Sequence, residues 1–333
     1  MAVLRVKKPD VCELVLFTRY GECIGRVTDS TWKPLKKPIP NRLSLLAICL
    51  MALVAMAGGT APSTKLWSQS GPPVSAKAED TVTHVYMRNV DFYIDPQIPL
   101  HIRRLNGTMR AKTGGPVVFD DKTSFIIHLD AAEVGLAGAG LSLLLNKYVF
   151  SYPGAPIKRL TASTSGTQMV LKGTLHKVTD LPFTITANVS VTPDAKIRVH
   201  PTRTEILGLH VDQLMNGLGL TLDKIIDLRK AKGASVKGND ILLDPNAILP
   251  PPTMEGSITA VRVEGNQIIQ DFGGAPQTAV LPDPSQQNFM FFKGGSIRFG
   301  KLLMSDAELE IVDLDPADPF RFDISKYLPQ LVA

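Results

Sequence analysis

Residues 183–192, FTITANVSVT, alternate without a break: Phe183, Ile185, Ala187, Val189 and Val191 on one side, Thr184, Thr186, Asn188, Ser190 and Thr192 on the other. Period two of this kind predicts a half-buried strand of an antiparallel sheet. Pro193-Asp194-Ala195 then turns the chain into KIRVHPT. Gly238-Asn239 before DILLD and Gly265-Asn266 between ITAVRV and QIIQDF tolerate positive φ, so two further hairpins are expected there. Residues 123–131 and 159–177 add strands, and the strand pattern dominates from about 82 to 272.

Two stretches keep a different period: GLSLLLNKYVF at 140–150 and VDQLMNGLGLTLDKIIDLRKAKG at 211–233. In the first, Leu141, Leu143, Leu144, Leu145, Val149 and Phe150 wrap most of the way round a helix and leave almost no polar face. Such a helix is either a buried core element or lies in an apolar cavity enclosed by a curved sheet. The second is expected to be a helix kinked at Gly217 and Gly219, ending with Arg229, Lys230 and Lys232 before Gly233. A strand followed by AEVGLAGAGLSLLLN (132–146) parallels a strand followed by TEILGLHVDQLMN (204–216); this is either one unit used twice or a coincidence of apolar residues. Beyond Phe272 a turn-rich loop leads to two or three more strands in FMFFKGGSIRFGKLLMSDAELEIVDLDP. Tyr327, Leu328, Leu331 and Val332 are then expected to dock the chain end.

The longest apolar run, NRLSLLAICLMALVAMAGG at 41–59, lies outside this pattern. Residues 43–54 have the length of a signal-peptide core and fall short of the roughly 20 residues a spanning helix needs. Ala55-Met56-Ala57 offers a small-x-small cleavage site with Gly58 as the new N-terminus, whereas an arm of 42 residues is long for a signal and fits an uncleaved anchor. The pI near 9.0 suggests nucleic acid until the charge is located. Residues 1–42 hold nine Lys and Arg against four Asp and Glu, and the rest of the 36 and 31 leaves twenty-seven of each. The basic excess thus sits on the arm alone, where it orients an export segment. No nucleic-acid partner is expected. The chain divides into a basic arm (1–42), a signal core or anchor (43–59), a linker (60–81), a β-rich domain (82–272) and a C-terminal β extension (273–333).

All three cysteines, Cys12, Cys23 and Cys49, lie within or before the apolar run. Residues 60–333 therefore have neither a disulfide framework nor a thiolate site. The six histidines show no metal-ligand spacing, and no cofactor or metal is expected. Gly135-x-x-Gly138-x-Gly140 reverses the dinucleotide fingerprint and reads as a close-approach turn. Asp120-Asp121 with His128 is the one constellation open to acid/base work, and turn chemistry accounts for the same aspartates. Asp313, Asp315 and Asp318 have the charge of a Ca²⁺ loop without its Gly or distal Glu.

The order strand, turn, strand, helix, proline-bearing loop and closing strand runs through PFTITANVSVTPDAKIRVHPTRTEILGLHVDQLM (182–215), DILLDPNAILP and GSITAVRVEGNQIIQDF (256–272). Over about residues 85–272 it resembles the tubular lipid-binding (TULIP-like) proteins, in particular the bacterial LmeA-like phospholipid-binding group. The resemblance implies an α+β, mostly β fold: a curved antiparallel sheet wrapped on one or two apolar helices around a groove for acyl chains. Leu141, Leu144, Leu145, Phe183, Ile185, Val189, Leu209, Leu214 and Leu218 are the expected lining. The expectation is an exported, non-catalytic lipid-binding protein of the periplasm or cell envelope, able to meet a membrane surface and possessing no catalytic residue. The rivals are an envelope scaffold with a protein partner, and a hydrolase using Asp120, Asp121 and His128.

Overall fold

The computed structural model describes residues 2–6, 12–17, 23–28, 31–34, 82–176, 179–210, 221–274, 286–313, 315 and 317–327, and for 2–34 only the backbone of four strands. These are β1 (Ala2–Val6), β2 (Cys12–Phe17), β3 (Cys23–Thr28) and β4 (Thr31–Pro34). The long hairpin β5 (Thr83–Asp95) and β6 (Ile98–Ala111) comes next, then β7 (Val117–Val118) and β8 (Phe125–Ala137). β8 runs directly into helix α1 (Gly138–Leu144), which a π-helical turn, Leu145–Val149, continues. A second meander comprises β9 (Ile157–Ser165), β10 (Gln168–His176), β11 (Asp180–Val191), β12 (Ile197–Ile206) and the short β13 (Leu209–His210). Beyond it lie α2 (Leu222–Ile225), β14 (Ala234–Lys237), β15 (Asp240–Leu243), α3 (Pro245–Ile248) and β16 (Thr253–Glu255). The chain closes with β17 (Ile258–Glu264), β18 (Gln267–Gly273), β19 (Phe289–Lys293), β20 (Ser296–Phe299), β21 (Leu302–Ser305), β22 (Glu308–Asp313) and β23 (Phe320–Asp323).

The fold is mostly β, with curved antiparallel sheets. One sheet has thirteen strands in the order β17-β18-β8-β6-β5-β19-β22-β1-β2-β3-β4, with β16 beside β8 and β23 beside β5. A second has seven, in the order β14-β15-β12-β11-β10-β9 with β13 beside β12, and β21-β20-β7 form a third. Helix α1 packs on β9 of the seven-stranded sheet and on β6 and β8 of the thirteen-stranded one. One continuous apolar core joins all three layers.

The period-two readings hold. Phe183, Ile185 and Ala187 of β11 are buried, and the turn after it closes with Thr192 N–H donating to Lys196 O at 2.9 Å. Gly238 and Gly265 sit at φ +59° and +58° in two-residue hairpin turns. Residues 289–316 form four strands where two or three are expected, because β20 to β22 are only four to six residues long, and β23 follows beyond them. Tyr327 is buried, and Leu328, Leu331 and Val332 lie outside the described residues.

The two helical expectations fare differently. The first is a helix that starts two residues and ends one residue before the expected bounds. The surprise is its facing: Leu143 is 37% exposed while Ser142 is buried. Gly138, Ser142 and Asn146 make an i, i+4, i+8 stripe turned to the free edge of β9. At Gly138 a Cβ would come within 2.5 Å of Ala162 O, so only glycine lets the helix approach this close. Ala162 N–H donates to Ser142 Oγ (2.7 Å), Leu160 N–H donates to Asn146 Oδ1 (2.9 Å), and Asn146 Nδ2 donates to Leu160 O (2.6 Å). The side chains thus stand in for a missing neighbour strand and close an edge that would otherwise be open.

The helix expected over 211–233 is corrected. Residues 211–220 lie outside the described residues, and of the remainder only α2 is helical, with Ile226 already extended. Ile226 and Leu228 are buried on either side of exposed Asp227, so this stretch reaches the core by strand-like alternation. Asp227 Oδ1 accepts the Arg229 N–H at 3.0 Å, which turns the chain instead of ending a helix. Of the two parallel stretches, 132–137 continues strand β8 into α1, and 211–216 of the second lies outside the described residues.

Candidate functional site: an apolar cleft beside the buried helix

The inner face of the seven-stranded sheet is built by alternation. Met169, Leu171 and Leu175 of β10, Phe183 and Ile185 of β11, Val199 of β12, and Ile241 and Leu243 of β15 all point inward. Opposite them stand Leu141 of α1, Leu145 of the π-helical turn and Leu222 of α2. Between these walls runs a partly open cleft with about 770 Å³ of atom-free space counted out to its mouth. Its accessible wall is entirely apolar, and Thr204 is the one polar residue among those lining it. The cleft is a narrow slot, with clear room for water-sized bodies over only about 50 Å³. That is space for a few waters, or for one slender hydrocarbon chain once the walls part slightly.

A second cleft lies on the other side of α1, against the thirteen-stranded sheet, with about 430 Å³ of atom-free space. Leu100, Leu129, Val134 and Leu136, with Met254 of β16, come from the sheet, and Leu144 and Ile248 from the helices against it. Two polar side chains, Asn246 and Gln270, line it.

Four of the nine residues expected to line a pocket meet in the first cleft: Leu141, Leu145, Phe183 and Ile185. Leu144 faces the second cleft. Val189 is partly buried against the core and outside both. Leu209 belongs to β13, with no description of its side chain, and Leu214 and Leu218 lie outside the described residues. The sequence reading missed the contribution of β10 and β15. QMVLKGTLH carries the signal plainly, since Met169, Leu171, Gly173 and Leu175 share one face.

The acid/base constellation does not come together. Asp121 Oδ1 accepts from Thr123 N (2.9 Å) and Thr123 Oγ1 (2.6 Å), which hold its carboxyl below the usual carboxylate range. Asp120 Oδ2 accepts the Gly300 N–H at 2.9 Å and bonds the Tyr327 hydroxyl, which burial and this carboxylate push up to about 12. His128 Nε2 instead faces Asp130 at 3.6 Å. Each of the three residues has partners of its own and shares none with the other two. Among the described residues no group of His, Cys, Asp and Glu is arranged to hold a metal ion. Asp313 and Asp315 close turns onto the N–H groups of Asp315 and Ala317.

On the face of β8 opposite Val134, Glu133 collects three guanidinium groups, from Arg262 (2.6 Å), Arg103 (3.1 Å) and Arg104 (3.2 Å). Arg262 also reaches Asp271, and Arg103 reaches Glu264, so the network ties β6, β8, β17 and β18 together.

No family model, no curated protein and no solved structure matches the chain.

Proposed function

We propose that the chain is an exported, non-catalytic protein of the cell envelope that holds the acyl chain of a lipid in the first cleft, with the TULIP-like arrangement of a curved sheet wrapped on α1. The observation that carries this reading is the wholly apolar wall. Each methylene buried there is worth about 0.8 kcal/mol, so a chain of moderate length binds with no polar anchor. The clear room of about 50 Å³ is well below the roughly 300–1,000 Å³ of preformed ligand pockets, so entry of a chain requires the walls to part. A lipid head group stays at the mouth and meets a membrane surface there. The apolar run at 43–59 supports export, ending either in cleavage after Ala57 or in a tether to the inner membrane. That run lies outside the described residues, among which no helix is long and apolar enough to cross a membrane.

The narrowness of the cleft favours a second reading, an envelope scaffold with a filled core and a protein partner. Native mass spectrometry with organic extraction, on the full chain and on Leu171→Trp, separates the two. Lipid bound near one per chain in the wild type and lost from Leu171→Trp supports the cleft, since lipid held by the apolar run is indifferent to that substitution. Equal lipid content in both proteins, or none in either, moves the conclusion to the scaffold.

A further inference from the structure

β18 presents Ile268, Gln270 and Phe272 on its core face, and Ile268 and Phe272 are both buried. Gln270 therefore occupies a position that the strand's own pattern reserves for an apolar residue. Its neighbours across the sheet are Val134 of β8 and Val261 of β17, neither of which can pair with an amide. Gln270 lines the second cleft, and its side chain makes no hydrogen bond to any described residue. Asn246, the other polar residue of that cleft, is already engaged: its Nδ2 donates to Gly256 O (3.0 Å), and its Oδ1 accepts the Gly256 N–H (3.2 Å). Gln270 is half-buried; a polar side chain on the strand's apolar face, lining a cleft that is otherwise apolar but for the already paired Asn246, departs from the local rule in the way that functional positions do.

We infer that the second cleft is a separate binding site for an uncharged amphiphile, a short hydrocarbon chain bearing an ester or hydroxyl group that pairs with the Gln270 amide. The amide offers both a donor and an acceptor, which suits a hydroxy-ester better than a group of one kind. No lining residue is ionisable, and a carboxylate or phosphate entering would lose its hydration without gaining a counter-charge. Clear room for water-sized bodies extends over only about 30 Å³, so a chain that enters is short and parts the walls as it does so. This site does not depend on the acyl reading of the first cleft, from which α1 separates it.

The test is calorimetric titration of the full chain with 1-monooctanoylglycerol and, separately, with octanoate. It is run on the wild type, on Leu171→Trp, which fills the first cleft, and on Leu171→Trp combined with Gln270→Leu or Gln270→Met. The expected result is one monooctanoylglycerol site per chain remaining in Leu171→Trp. Either Gln270 substitution should weaken it by about three- to tenfold, the worth of one hydrogen bond, and octanoate should bind more weakly than the ester. Equal affinity with and without Gln270, at unchanged melting temperature, overturns the inference and leaves the amide to water. Octanoate binding as tightly as the ester overturns it too. Absence of lipid from the first cleft would refute only the acyl reading, because these titrations are made with that cleft already filled.

Discussion

Asn146 tests the architecture at the point where the cleft depends on it. Its side chain makes three hydrogen bonds: Nδ2 to Ser142 O (2.7 Å), Nδ2 to Leu160 O (2.6 Å), and Oδ1 from Leu160 N–H (2.9 Å). Leu160 is 4% exposed, so water has little access to replace what is lost. In Asn146→Ala three net contributions of about 1 kcal/mol disappear, and the Leu160 amide and carbonyl remain buried with no partner from the helix. A total of about 2–4 kcal/mol is expected. For a domain of roughly 250 residues each kcal/mol moves the melting temperature by about 2–4 °C, so a fall of about 5–15 °C should appear by calorimetry. Asn146→Asp should do no better, since it keeps the acceptor for Leu160 N–H but turns a carboxylate oxygen toward two carbonyls. Because Leu145 and Leu141 line the cleft from this same helix, lipid retention should fall with stability. A melting temperature within about 2 °C of wild type would show that α1 is not docked on the edge of β9, and the first cleft would lose one of its walls.

Gly273 sits at φ +68°, and a Cβ there would lie 1.7 Å from Asp130 O. Gly273→Ala should therefore cost more than about 3 kcal/mol, read as insoluble expression or a collapsed melting transition, and wild-type stability would refute the β18–β8 register. Burial pushes the Glu133 carboxyl up, but hydrogen bonds from Arg262 and Arg103 and the charge of Arg104 outweigh it and hold the group below the usual range. A carboxylate depressed in the folded state adds stability that is full above its unfolded pKa and is lost as pH falls through the folded one. Wild type should therefore lose melting temperature faster than Glu133→Gln on acidification below about pH 4.5, and parallel curves would deny the network any linkage. N-terminal sequencing of the chain from cells should give Gly58 if the export segment is cleaved, and recovery of the intact arm would leave the anchor or a non-exported chain.

How much was legible depends on which interactions leave a period. Strands β10 to β12 and the hairpins at Gly238 and Gly265 could be read because one buried face against one wet face writes alternation into the sequence. Phe183 and Ile185 were found on the same ground, Leu141 and Leu145 from the leucine-rich helix and the resemblance. The orientation of α1 was not, since leucine count alone turns Leu143 inward and Ser142 outward. What decides it is a polar stripe whose partners, Leu160 and Ala162, lie 14 and 20 residues on in a strand edge. The stretch after α2 misled for the opposite reason: basic residues before a glycine make a helix end only if a helix precedes them, and Ile226 and Leu228 are spaced for a strand. Gln270 was overlooked because a lone glutamine in a strand becomes unusual only when its neighbours across the sheet are known.

The arm and the domain pose a joint constraint. β1 pairs in parallel with β22 from Ala2 opposite Leu309 to Val6 opposite Asp313, and β2 to β4 extend the sheet from there. Residues 43–59 lie between the arm and the domain, so a chain threaded through a bilayer at that run keeps β1 and β22 on opposite sides, where they cannot meet. Cleavage after Ala57 removes β1 altogether. In either case β22 becomes an edge with Leu309, Glu310, Ile311 and Val312 consecutive along it, residues that are all buried in the structure. On the face away from the main core its neighbours are Phe289 and Phe291 of β19. A strand whose Leu309 and Ile311 face the core, with Glu310 and Val312 buried on the other side, pairs readily through its open backbone groups with whatever strand it meets, and natural proteins do not leave such an edge bare. Export therefore requires another occupant for the β22 edge, whereas retention of the arm supplies one from the chain itself. The question of compartment and the question of partner are in this protein the same question, asked at one strand.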